Sequence, residues 1–135
     1  MIPKFRAWDE KHNEMIRVIS VNFDEKFIRG LTEVENNLDI ESSYNFEDIE
    51  LLQATGLKDM NGVEIFEGDV LEIPVAIDTE KLNGEVVFED GVFGIKDVLY
   101  GWGFEIGLVP LIEIILAKKV IIVGNKFEHP HLLKE

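Results

Sequence analysis

A chain of 135 residues with 46% apolar content and 10% aromatic content, no cysteine, and 27 acidic against 13 basic side chains has the composition of a globular protein with an acidic surface. Without cysteine there is no disulfide framework, no thiolate nucleophile and no cysteine-ligated zinc. A formal charge of −14 sets most of the surface against phosphate backbones, so direct nucleic-acid binding is not expected.

In chain order, residues 4–9 (KFRAWD) and 15–21 (MIRVISV) are short, aromatic and β-branched, and a charged loop joins them. That pattern predicts a β-hairpin. Residues 22–38 read two ways, because Phe27, Leu31, Val34 and Leu38 fall at helical spacing while Gly30 interrupts the stripe. Residues 40–45 are polar and read as a loop centred on Ser42 and Ser43. Phe46, Ile49 and Leu52 suit a single helical turn, and Leu51 and Leu52 equally suit the start of a strand.

From Gly56 onward strands dominate. Asn61-Gly62 predicts a hairpin turn with both central residues suited to positive φ. Gly68-Asp69 introduces a strand over 70–73, with the Asp69 carboxylate capping local backbone donors. Pro74 ends that strand or marks an edge. Residues 78–83 read as a polar loop. Residues 85–89 and 92–95 form a second hairpin about Asp90-Gly91. Gly101, Gly103 and Gly107 surround Trp102 and Phe104 and permit a sharp bend. Residues 110–119 suit a short helix opened by Pro110 or a strand; 120–123 is a strand ended by Gly124-Asn125. The boundary between two lobes is expected near residues 50–60, giving lobes 1–55 and 56–135.

Three separated blocks, KFRAWD, LLQATGLKDMNGVEIFEGDVLEI and VIIVGNKFEHPHLL, resemble the YopX-type proteins of phages and prophages of Gram-positive bacteria. The blocks occur in the family's order and span nearly the whole chain, whereas 22–50 and 96–119 match little. The resemblance implies a mainly β protein whose C-terminal lobe is a small SH3-like barrel, encoded by a phage and acting in the cytoplasm of the host bacterium. It brings no activity and no catalytic residues. Where the family reads E-N-P-E, this chain reads Glu128-His129-Pro130-His131, which argues against an essential role for either histidine.

The residues themselves specify no reaction. Neither a GxGxxG nor a GKS/GKT phosphate loop is present, nor a G-x-S-x-G nucleophile elbow, nor a calcium-loop pattern. His129 and His131 read as part of a solvated tail rather than a metal pair, and no metal or cofactor is expected. The carboxylate pairs Glu67/Asp69, Glu89/Asp90 and Glu47/Asp48 are no closer in sequence than 27 acids in 135 residues produce by chance. The start of the chain is charged and carries no apolar leader, and the apolar run 107–117 is too short to span a bilayer.

Residues 1–29 hold six basic and five acidic side chains, and no basic residue occurs between Arg29 and Lys58. The acids of that stretch are Glu33, Glu35, Asp39, Glu41, Glu47, Asp48 and Glu50; the acid-rich region 30–57, with Glu33, Glu35, Asp39, Glu41, Glu47, Asp48 and Trp8 as its candidate residues, is the expected interaction surface for a basic host or phage protein. The apolar run 108–117 is the expected self-association surface, making a homo-oligomer. The structural turns are Gly62, Gly68-Asp69 and Gly91. The expectation is therefore a non-enzymatic accessory protein acting by protein contact. The alternatives are a small carboxylate- or metal-dependent hydrolase and a nucleic-acid-binding small barrel, the latter needing Lys4, Arg6, Lys11, Arg17, Lys26 and Arg29 to cluster on one side.

Overall fold

The computed structural model describes residues 3–34, 38–74, 81–100 and 104–133, and the chain forms two compact units, Met1–Ala54 and Thr55–Glu135. The first unit holds β1 (Phe5–Asp9), β2 (Glu14–Asn22), β3 (Phe27–Val34) and β4 (Leu38–Asn45). A 3-10 turn (Phe46–Asp48) then leads into β5 (Glu50–Lys58), which runs on into the second unit. The ladders are antiparallel in the order β4-β3-β2-β1-β5. Ala7, Ile16 and Ile28 form the buried centre of one sheet face, with Val18, Val21, Tyr44 and Leu51 packed against them. Pleating puts residues two apart on one face, which explains why Ala7, Ile16 and Leu51 come together through the pairs Ala7↔Ile16 and Ala7↔Leu51.

One open reading is resolved here and one expectation fails. Residues 27–34 form a strand, so the helical spacing of Phe27, Leu31 and Val34 is coincidental. Gly30 shows what decides the matter: a Cβ there would lie 2.2 Å from Ile16 Cγ2, so the neighbouring strand's core isoleucine packs onto bare backbone. Residues 40–45 belong to a strand rather than a loop. β4 is polar because it is the outer strand of the sheet, where exposed side chains need no apolar partner.

The second unit holds the end of β5, then β6 (Glu64–Phe66), β7 (Asp69–Pro74), β8 (Lys81–Glu89), β9 (Val92–Tyr100) and β10 (Phe104–Pro110). A short helix α1 (Leu111–Ala117), β11 (Ile121–Asn125) and a 3-10 turn (Pro130–Leu133) complete it. Its antiparallel sheet runs β10-β9-β8-β7-β11. Among the described residues no ladder joins β10 to β11, so the fold is mainly β with open sheet edges. Ile65, Leu71, Ile73, Val86, Ile95, Val109, Leu111, Ile114 and Val120 make one buried core.

The two predicted hairpins differ. Asp90 (φ 53) and Gly91 (φ 79) both sit at positive φ between the paired Glu89 and Val92, as the sequence implied. At the other, Gly62 N–H donates to the Asp59 carbonyl at 3.0 Å, and Gly62 alone takes positive φ, at 80. The turn is Asp59–Gly62 with glycine closing it, and Asn61 keeps an ordinary φ. The expected loop over 78–83 ends early, since Lys81, Leu82 and Asn83 already pair with β7. Residues 110–119 resolve in favour of the helix: Pro110 precedes it, Leu111 and Ile114 are buried, and Lys118 N–H donates back to the Ile114 carbonyl. Trp102 lies outside the described residues.

Candidate functional site

β1 and β5 place the site. The pair Trp8↔Glu50 brings the start of β5 beside the indole-bearing end of β1. Glu10 follows β1 into the hairpin turn, and the 3-10 turn before β5 carries Glu47 and Asp48. These elements enclose a concavity of about 260 Å³ lined by Trp8, Glu10, Glu47, Asp48, Ile49 and Glu50. Trp8 is 7% exposed, whereas Glu10, Glu47, Asp48 and Glu50 are open to solvent. Four acidic residues line the concavity beside Trp8, which suits an ammonium or guanidinium group by charge.

Of the residues expected to form the interaction surface, Trp8, Glu47 and Asp48 come together here. Glu50, an acid of the same stretch, joins them, and Glu10 and Ile49 are additions that sequence reading missed. Their signal is the cross-strand register of β1 and β5, which no local motif encodes. Glu33, Asp39 and Glu41 lie elsewhere, on β3 and β4. Glu33 stands directly opposite Asp39, and Glu41 accepts from Arg29 Nε at 3.1 Å while Arg29 Nη1 donates to Ser43 Oγ at 2.8 Å. Glu35 lies outside the described residues.

The six basic positions divide. The pairs Arg6↔Arg17 and Arg17↔Leu31, with Arg29 two residues from Leu31, put three arginines on one sheet face. Lys11 and Lys26 lie in hairpin turns, and Lys4 precedes β1. Glu33, Asp39, Glu41 and Glu50 share the arginines' face by the same pleat, so it carries no uniform positive stripe of the kind that tracks phosphates. Arg6 and Asp9, which flank Trp8 in the chain, lie on opposite faces of the sheet. Asp9 is buried and its carboxylate takes His12 instead, through Nδ1 at 2.7 Å and the backbone N–H at 3.3 Å.

Of the carboxylates weighed for catalysis, Asp69, Glu89 and Asp90 are engaged structurally, whereas Glu47 and Asp48 are open to solvent. Asp69 is buried and accepts the Phe66 N–H at 2.8 Å, beside Gly68 at φ 89. Glu89 binds Lys96 at 3.1 Å, and Asp90 forms the hairpin turn. Among the described residues no three His, Asp or Glu side chains are grouped to hold a metal ion, and no helix is long and apolar enough to cross a membrane. The solvated-tail reading of His129 fails. Its ring Nδ1 accepts the Asn125 N–H at 3.2 Å, and its backbone N–H donates to the Asn125 carbonyl at 2.9 Å. Asn125 in turn accepts from Phe127 and Glu128 through Oδ1 and donates to Glu128, so a buried side chain folds the tail back. His131 is exposed.

Comparison with solved structures finds similar folds. Protein EF1440 from Enterococcus faecalis is 28% identical with a TM-score of 0.67, covering 99% of each chain. Protein yopX from Bacillus subtilis is 18% identical with a TM-score of 0.59, covering 96% of this chain and 97% of the other. No curated protein matches. The model of the YopX protein family matches residues 4–134, and the chain belongs to that family.

Proposed function

We propose that the protein works by protein–protein contact rather than by chemistry, as a phage or prophage accessory protein in the host cytoplasm. The concavity of Trp8, Glu10, Glu47, Asp48 and Glu50 takes a lysine or arginine side chain of a basic host or phage protein. The observation that carries this reading is that four solvent-exposed acidic residues line one concavity within a single unit. Self-association is the second half of the proposal, supported by the outer side of α1, where Ile112 and Leu116 stay exposed one helical turn apart. The small SH3-like barrel belongs to the same proposal as the form of residues 56–135, supported by five successive strands around one core.

The test is tryptophan fluorescence during titration with an arginine-rich peptide at low and high salt. The reading requires saturable binding that weakens as salt rises and is lost in the double variant Glu47→Gln/Asp48→Asn. Both side chains are exposed, so the fold survives their neutralisation. Binding that ignores both salt and the double variant overturns it.

A further inference from the structure

β4 is paired with β3 along all eight of its residues, and among the described residues its other edge meets no strand. In an antiparallel ladder every second residue turns its N–H and C=O away from its partner, so that edge offers a row of unused donors and acceptors. The strand is also two-sided. Leu38, Ile40, Ser42 and Tyr44 continue the face that carries Ala7, Ile16 and Ile28, while Asp39, Glu41, Ser43 and Asn45 continue the other. Leu38 and Ile40 are 63% and 49% exposed, so the apolar row runs on past the core without cover.

We infer that β4 pairs with β4 of a second copy, antiparallel about Ser42, joining two first units into one continuous sheet. The inference deepens the self-association half of the proposed function and rests on it. The charge pattern selects both occupant and register. Centring on Ser42 sets Asp39 opposite Asn45 of the second copy and Glu41 opposite Ser43, so no acid meets an acid. Ile40 then meets Tyr44 on the apolar face. Centring on Glu41 sets Glu41 against its own counterpart and centring on Ile40 sets Asp39 against Glu41; both place like charges directly opposite and are disfavoured, while centring on Ser43 pairs only residues 41–45 of the strand. In the Ser42 register the guanidinium of Arg29, already bonded to Ser43, stands in line with Glu41 of the second copy.

The chain has no native cysteine, so Ser42→Cys gives a clean readout: the two introduced thiols meet at the twofold axis within disulfide reach. Three measurements on the full chain decide the matter. Sedimentation across a concentration series is expected to show a mass rising to twice 15.4 kDa. Ser42→Cys is expected to cross-link under mild oxidation. Ser43→Glu sets an acid against Glu41 of the other copy at two symmetric places and is expected to weaken association about tenfold, while Ser43→Lys strengthens it. A protein that stays monomeric throughout overturns both the edge pairing and the self-association reading. A dimer that Ser43→Glu leaves intact, Ser42→Cys does not cross-link and Leu116→Glu dissociates overturns the edge pairing alone and assigns the contact to α1.

Discussion

Asp59 is 7% exposed, and its carboxylate accepts three backbone N–H groups: Asn61 and Val63 at 2.9 Å through Oδ1, and Ile122 at 3.1 Å through Oδ2. The same residue's backbone exchanges with Val63 and Gly62, and the adjacent Met60 N–H donates to Val120. One side chain therefore holds the β5–β6 turn and ties it to β11 within the second unit. Asp59→Ala leaves three donors without their charged acceptor and is expected to cost about 3 kcal/mol in denaturant unfolding. A loss below about 1 kcal/mol would mean that water takes over those donors. Gly30 is the corresponding point in the first unit. Gly30→Ala is expected to cost about 2 kcal/mol by crowding Ile16. The double variant with Ile16→Ala should cost clearly less than the two single losses together; simple additivity would contradict the packing argument. Neither residue announces itself in sequence. Asp59 reads as one acid among many, and Gly30 reads as a helix breaker, because the atom that makes glycine necessary belongs to a different strand.

At the level of elements, what the sequence carried was local. The Asp90-Gly91 turn, β1 and β2 follow from residues adjacent in the chain, and the structure places them where turn chemistry and alternation put them, while β11 runs on through Gly124 and Asn125, the residues expected to end it. β3 reads two ways and β4 is misread in sequence because their stability comes from neighbours: β4 has a loop's composition and becomes a strand by pairing along β3. The site followed the same division. Glu47 and Asp48 beside Trp8 were found among the acids, but Glu10 and Glu50 join them only through the β1–β5 register. Two glycines of the second unit separate local from non-local causes by experiment. A Cβ at Gly91 meets nothing within 4 Å, so Gly91→Ala is charged only the positive-φ penalty, about 1 kcal/mol. A Cβ at Gly94 would lie 2.5 Å from the Val109 carbonyl oxygen, so Gly94→Ala is expected to cost about 3 kcal/mol by pushing β10 from β9. Equal losses in thermal or denaturant unfolding would contradict this distinction.

Across the whole molecule, a formal charge of −14 makes the sign of salt dependence informative. Two copies of an acidic chain repel, so raising ionic strength should promote self-association, whereas a basic ligand at the Trp8 concavity should bind less tightly under the same change. Salt effects of the same sign in both assays would mean that charge does not govern one of them. The most direct measurement of the central claim is a nitrogen-15 amide spectrum of the full chain during titration with an arginine-rich peptide. The account predicts saturating shifts concentrated at residues 8–10 and 47–50, absent in Glu47→Gln/Asp48→Asn. Shifts centred in the second unit, or a spectrum unchanged at saturating peptide, would contradict it.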